Sequence, residues 1–396
     1  MMNTGDTAWV LVATAMVMLM TPAGLALFYG GLSSKKSVIN TVGMSYAAFC
    51  VATLAWVVLG YSIAFGDNVF SHVLLRGIGI DDLAGSIPTL LFVAFQGVFA
   101  AIAVAIVSGS VEERMKFSSW IVFTLFWVLL VYAPLVRAIW GDAIFGDLGE
   151  LDFAGGTVIH VNAGIAGLVL AVLLGKRKRI HETSPSSIKL TVLGSALLWF
   201  GWFGFNAGSQ LAADGVAANA LLVTNIAACA GAVAWMLFEW CCGRKPSTLG
   251  LASGAISGLV GITPAAGYVD STGALLIGLT SGLIGYFGVI KLKKVFDYDD
   301  SLDAFGIHGL VGIWGSIATA FFAHPDINGA SGVLFGNTYQ LLPQVAAVLF
   351  TVVYATFSTW GIFWLTERLT GGSRIDSKTE LEGLDQAYHN ETSFAR

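Results

Sequence analysis

Eleven times along this chain, a run of about twenty mainly apolar residues gives way to a short polar connection. The runs cover residues 8–31, 38–65, 88–110, 117–139, 153–174, 189–211, 216–240, 248–266, 271–292, 304–323 and 341–368. A helix rises 1.5 Å per residue, so runs of roughly 20 residues match a bilayer core about 30 Å thick. The pattern predicts an all-α polytopic membrane protein with eleven transmembrane helices. Residues 1–370 form the membrane domain and 371–396 a polar tail. An odd number of crossings puts the two termini on opposite sides.

Charge decides which side is which. The odd-numbered connections hold Lys35, Lys36, Arg114, Lys116, Lys176–Arg179, Lys189, Arg244, Lys245, Lys291, Lys293 and Lys294, and the end of the eleventh run and the tail add Arg368, Arg374, Lys378 and Arg396. Of 20 Lys and Arg, only Arg76 and Arg137 fall in the even connections. Basic residues stay on the cytoplasmic side, so the N-terminus is expected outside and the C-terminus inside. The acidic residues of the outer connections (Asp67, Asp147, Glu150 and others) either enrich cations weakly at a pore mouth or are ordinary solvated loop charges.

Composition agrees. The 396 residues are 56% hydrophobic and 11% charged, with a mean hydropathy of +0.77. A soluble domain carries about 25% charged residues, so this chain lacks the polar surface for a water-facing globule. The 48 glycines suit helices that approach closely in lipid. The first basic residue is Lys35, so the leading apolar run from Trp9 to Gly31 reads as a retained span rather than a secretory signal. Cys50, Cys229, Cys241 and Cys242 have neither metal-ligand nor redox spacing and are expected to be packing residues. With no nucleophile–base set, nucleotide loop or metal cluster, an enzyme is not expected, nor any cofactor, metal or nucleic-acid partner.

Two histidines stand inside apolar runs. His160 lies in the fifth and His308 near the start of the tenth, and each begins the pattern H-x₃-G-x₂-G, with Gly164 and Gly167, then Gly312 and Gly315. Positions i, i+4 and i+7 share a helix face. Each segment also begins near an aspartate, Asp152 and Asp303. Five spans separate the copies, so they run in opposite directions. That suggests an inverted five-plus-five repeat, residues 8–174 and 189–323, with 341–368 as an extra eleventh helix. Ionisable groups inside a membrane are costly and usually functional. One histidine alone reads equally as a hydrogen-bonded structural residue. Two matched ones on glycine-lined faces point to a pore, where two neutral rings in hydrogen-bond contact accept a proton at one nitrogen and release one elsewhere.

Aromatic residues cluster near span ends: Phe95 and Phe99, Trp140, Trp202 and Phe205. Any one of them, taken alone, reads more readily as an interfacial belt residue than as a cation-binding ring. Motifs give more. Asp152-Phe-Ala-Gly-Gly-Thr-Val-Ile-His160 closely resembles the signature of the Amt/Mep/Rh ammonium transporter family. So do Phe28-Tyr-Gly-Gly31, Ala94-Phe-Gln-Gly-Val-Phe99, Gly201-Trp-Phe-Gly-Phe-Asn-Ala-Gly-Ser209, Ile262-Thr-Pro-Ala-Ala-Gly-Tyr268, Phe305-Gly-Ile-His308 and the tail's Glu382-Gly-Leu-Asp385.

The resemblance, to the prokaryotic Amt type, implies a multi-pass plasma-membrane homotrimer with one pore per subunit, carrying ammonium or ammonia. It implies that Phe95, Trp140 and Ser209 form an outer recruitment site for NH₄⁺, shaped by the buried carboxylate of Asp152. Phe99 and Phe205 would be a stacked gate beneath it, His160 and His308 the paired pore histidines, and Trp202 a supporting wall. A PII-type cytoplasmic signal protein is an implied partner. The chain departs from the family in two places. Where H-x₂-W-G-G-G is usual it reads Arg137-Ala-Ile-Trp140-Gly-Asp142, so a cation and a carboxylate, possible partners for each other, flank the recruitment tryptophan. The tail reads Tyr388-His-Asn rather than the usual His-Gly-Glu. Electrogenic transport is the leading expectation. A transporter-like ammonium sensor that binds but conducts little is the alternative.

Overall fold

A computed structural model describes residues 1–141, 144–178 and 184–393. Among these, ten helices are long and apolar enough to cross a membrane: α1 (Thr4–Leu32), α2 (Val38–Phe65), α3 (Thr89–Val111), α4 (Phe117–Ile139), α5 (Gly156–Leu174), α6 (Ile188–Gly208), α7 (Gly215–Cys241), α9 (Ser271–Val295), α10 (Phe305–Phe322) and α11 (Thr338–Thr370). The eighth apolar run differs from expectation. It forms the shorter helix α8 (Thr248–Ile262), because the chain turns at Thr263-Pro264 and stays in turns to Tyr268. Proline offers no backbone N–H and ends the regular ladder there. The sixth run also stops early, with Ser209 as its cap. Leu83–Ala84 and Ile87–Pro88 pair as a two-residue hairpin just before α3.

Burial grades the helices by position. In their most apolar windows 78% of α3 and of α5 is buried but only 33% of α11, so the first two are central and α11 is a peripheral belt. Its outward face carries Leu342, Leu349, Val353, Phe357, Trp360 and Trp364, an apolar stripe that suits lipid. The four cysteines correct the packing expectation. All are free and exposed, so they sit on the outer surface of α2 and α7 and fill no core.

At one end of the bundle the tail ties down three connections. Lys116 N donates to Ser373 O at 2.8 Å and Ile375 N to Arg114 O at 3.0 Å. The Arg374 guanidinium donates to the carbonyls of Leu174 and Lys176 and to Glu380. Asp385 N donates to Lys36 O, and the Asp385 carboxylate accepts from Asn40 N at 2.9 Å at the start of α2. Beneath lies a buried ionic cluster. Asp299 pairs with Arg114 (2.6 Å) and Arg177 (2.9 Å), and Arg177 also reaches Glu113 at 3.1 Å. Burial opposes ionisation of Asp299, but the Arg177 and Arg114 guanidiniums outweigh it and hold the carboxyl at about 2.

Candidate functional site

The site begins at two helix starts built alike. Before α5, one Asp152 oxygen accepts from Gly155 N (2.9 Å) and Gly156 N (2.6 Å), the other from Thr157 N (2.9 Å) and Val158 N (3.1 Å). A buried helix start leaves such amides without intrahelical partners, and this carboxylate satisfies four of them. Gly155 makes the turn with φ 110°, in the region that favours glycine. The helix then opens in a wide turn, Gly156–Val161, in which His160 N bonds back five residues to Gly155 O at 3.1 Å.

Before α10 the same construction recurs, but on a different aspartate from the expected one. Asp300, not Asp303, accepts from Ala304 N (3.2 Å) and Phe305 N (2.8 Å), and Ser110 donates to it at 2.7 Å. Asp303 instead pairs with Lys293 at 2.8 Å. A wide turn follows at Phe305–Gly309 and holds His308. Asp152 and Asp300 each stand eight residues before their histidine, a spacing visible in the sequence.

The glycines after each histidine do what their spacing suggested. A Cβ on Gly164 would lie 2.2 Å from Gly309 N, and one on Gly312 would lie 3.0 Å from Val161 N. Each glycine, four residues after its own histidine, therefore meets the residue one after the other histidine. That close crossing of α5 and α10 brings His160 Nδ1 within 3.1 Å of His308 Nδ1, with ring centroids 5.1 Å apart. Both rings are buried. A hydrogen bond between two Nδ1 atoms needs one donor and one acceptor. In the neutral pair, then, one ring carries its proton on Nδ1 and the other on Nε2. His160 Nε2 has no protein partner among the described residues.

Rings continue outward from His160. Trp202 stacks on it at 5.4 Å and Phe205 at 6.0 Å, with interplanar angles of 26° and 18°. Phe205 meets Phe99 at 4.4 Å, and Phe99 meets Phe95 at 4.8 Å and Trp140 at 6.3 Å. Trp140 Nε1 donates to the Asp152 backbone carbonyl at 2.7 Å, so the residue that caps α5 also orients the outermost indole. The Ser209 hydroxyl donates to Phe205 O at 2.8 Å, one turn along the same helix and beside Gly208, against which Phe95 packs. The structure thus brings Phe95, Phe99, Trp140, Trp202, Phe205, His160 and His308 into one file, with Phe95 and Trp140 at one end and His308 at the other, while Asp152 and Ser209 join it through backbone carbonyls. Trp202 is closer than a supporting role implied. It touches His160 directly and is fixed by an Nε1 bond to Thr263 Oγ1 at 2.9 Å.

Within this file lies a narrow cavity lined by His160, His308, Trp202, Phe205 and Phe28 together with Met20, Leu25, Ile102, Ile106, Leu198 and Ile256. The space open to a water-sized centre is about 10 Å³, the lower bound for one water molecule. Its walls offer almost nothing to a bare cation. Near the outer end Glu150 accepts from the Thr157 hydroxyl at 2.8 Å. Burial, reinforced by the Asp152 charge, pushes the Glu150 carboxyl well above the usual carboxylate range. Burial raises Asp152 as well, but its four amide donors oppose that rise, so of the two carboxyls Asp152 is the better placed to carry negative charge.

Arg137 does not point at the entrance. Its guanidinium donates to the carbonyls of Ile63 (3.1 Å) and Gly66 (2.7 Å) at the end of α2, satisfying helix C-terminal acceptors. Asp142, its suggested partner, lies outside the described residues. Among the described residues no group of three or more His, Cys, Asp and Glu side chains is placed to hold a metal.

Comparison with known proteins gives one answer. The sequence profile of the Ammonium Transporter Family matches residues 8–394. The chain is 47% identical over 403 residues to an ammonium transporter of Aquifex aeolicus, covering 99% of this chain and 94% of that one. Its structure resembles the crystal structure of Saccharomyces cerevisiae Mep2, with a TM-score of 0.88 and 33% identity, covering 95% of this chain and 88% of that one. It also resembles a solved Sensor Amt Protein, at TM-score 0.88 and 26% identity over 97% and 98% of the two chains. With a match along nearly its whole length, this multi-pass membrane protein belongs to the ammonium transporter family.

Proposed function

We propose that the chain recruits NH₄⁺ at Phe95, Trp140 and Ser209, removes its proton near Asp152, and passes ammonia between Phe99 and Phe205 while His160 and His308 relay the proton. The observation that carries this reading is the file of rings ending in the 3.1 Å Nδ1–Nδ1 contact beside an aliphatic cavity. Energetics favour a neutral passenger. Ring faces supply about 2 kcal/mol to a desolvated cation, whereas stripping an ion of water for an apolar space costs on the order of tens of kcal/mol. Ammonium escapes that cost by losing a proton and potassium cannot. The alternating tautomers of the histidine pair suit a relay: a proton arriving at one Nε2 releases another from the far ring.

The reading includes an inverted five-plus-five repeat with α11 added. The reciprocal glycine contacts and the two aspartate-capped wide turns, 148 positions apart, support it. It also includes an outer N-terminus, a cytoplasmic tail, a plasma-membrane homotrimer and a PII-type partner at the tail, all implied by the family motifs. Likeness to a Sensor Amt Protein favours a second reading, in which ammonium binds with little conduction. Ammonium-evoked current from purified protein in liposomes, measured beside equilibrium binding, separates the two. Transport predicts a current that is lost when His160 and His308 are both alanine. Binding without current in the unaltered protein would leave the sensor reading standing, and a current surviving the double replacement would end the relay.

A further inference from the structure

The chain departs from water-compatible chemistry most sharply at the tail end of α3. Glu112, the residue that ends this helix, is fully buried, and neither of its carboxylate oxygens has a hydrogen-bond partner among the described residues. The Thr41 hydroxyl of α2 lies close enough to favour the ionised form a little, but its proton is donated to Ser37 O at 2.7 Å. A second carboxylate approaches from the tail. Asp385 is also buried; one oxygen accepts from Asn40 N and the other has no partner among the described residues. Charged groups facing Glu112 are Glu113 on its own turn, Asp385 from the tail and Arg177 from the segment after α5. Arg177 is already engaged by Asp299 and Glu113, and His389 of the tail sits beside Asp385 and donates from Nε2 to Asn40 Oδ1 at 3.2 Å.

Two buried carboxylates with three oxygens unpaired among the described residues favour a bound proton; Lys35 and Lys36 line the solvent cavity on the Asp385 side, where Lys36 donates to Leu381 O. We propose that Glu112 is a proton-binding site that latches the tail: protonated, it tolerates Asp385 seated on α2, and ionised, it expels the tail. The chemistry is a carboxylic acid losing H⁺ to water, with no other bond made or broken. On the tail side, Asp385 borders a solvent cavity of about 510 Å³. Burial, with the Glu113 charge next, pushes the Glu112 carboxyl up to about 8. A carboxyl raised in the docked state holds its proton there while the released state has lost it. Docking is therefore strongest below about 4.5, weakens steadily above that, and has lost the whole contribution above about 8. This goes beyond conduction and does not depend on it.

The Asn40 amide reports the latch, since it lies in the first turn of α2 and its acceptor is Asp385. The experiment measures hydrogen exchange of the full chain in nanodiscs between pH 6 and 9, corrected for chemical exchange. We expect protection of residues 36–41 and 384–391 to fall at least tenfold across this range. Glu112→Gln, of the same shape and without a charge, is expected to stay protected throughout. Flat protection in the unaltered protein, an unchanged profile in Glu112→Gln, or protection that follows sodium concentration rather than pH would each overturn the proposal. Ammonium current recorded on the same samples reads the transport proposal separately, so either can fail alone.

Discussion

Gly164→Ala tests how tightly the histidine pair depends on the crossing of α5 and α10. An ideal Cβ at Gly164 falls 2.2 Å from Gly309 N and 2.3 Å from Gly309 Cα. Ordinary contact begins near 3.4 Å, so the helices must part by about 1.2 Å, and the obstacle is backbone that cannot rotate aside. His308 adjoins Gly309, so a retreat of that size takes its Nδ1 contact with His160 from 3.1 Å to beyond about 4 Å, outside hydrogen-bond reach. Overpacking of this kind costs about 1–3 kcal/mol. The broken bond leaves a buried ring nitrogen unpaired, at about 1–3 kcal/mol more. Two other glycines calibrate the result. Gly312→Ala meets Val161 N at 3.0 Å and His160 Cβ at 3.1 Å, which needs only a few tenths of an ångström. Gly361, in α11, has nothing within 4 Å, so alanine there is expected to stabilise the helix by about 0.5–1 kcal/mol. Thermal midpoints in detergent should rank Gly361→Ala at or above the unaltered protein, then Gly312→Ala, then Gly164→Ala. Ammonium current should survive in the first and vanish in the last. A Gly164→Ala protein with the original midpoint and current would refute the argument that this crossing sets the histidine geometry.

Trp202→Phe keeps a ring against His160 but gives up the bond to Thr263 Oγ1. A loss of about 1 kcal/mol in stability is expected, with lower current at unchanged ammonium binding, and Thr263→Val should reproduce it. Weakened binding with normal current would contradict that assignment. Arg137→Gln withdraws donors from the Ile63 and Gly66 carbonyls and is expected to cost about 1–3 kcal/mol in thermal unfolding while leaving ammonium affinity within about twofold. A changed affinity at unchanged stability would mean that Arg137 acts on the entrance after all.

Hydrophobic runs carry most of the helix positions, because a bilayer demands about 20 apolar residues per crossing and little else in the chain supplies them. They do not report where a backbone stops bonding. The run at 248–266 looked like a full span, yet Thr263-Pro264 ends its helix at Ile262. Nor do they report which way a side chain faces, which is why Cys50, Cys229, Cys241 and Cys242 read as packing residues and are exposed. The site was far more legible, because its geometry rests on spacing. H-x₃-G-x₂-G is a statement about one helix face, and the glycine contacts realise it. Proximity along the chain was the weaker guide: Asp303, closer to its histidine, pairs with Lys293, while Asp300 caps the helix. Arg137 likewise looked like a partner for its neighbour and serves α2.

The aspartates matter to the histidines through the wide turns between them. A turn closed by a five-residue bond holds one residue more than a regular turn, so it rotates the following helix face relative to its cap. Both histidines lie inside such turns, and each turn starts four or five residues after a carboxylate that holds the first amides. The cap therefore sets the phase of the turn, the turn sets the direction of the imidazole, and the glycine four residues on sets the distance to the other ring. On this account the Nδ1–Nδ1 contact belongs to neither histidine. It follows from two eight-residue spacings and two glycines, which is why replacing Gly164, with no ionisable group of its own, should silence the pore.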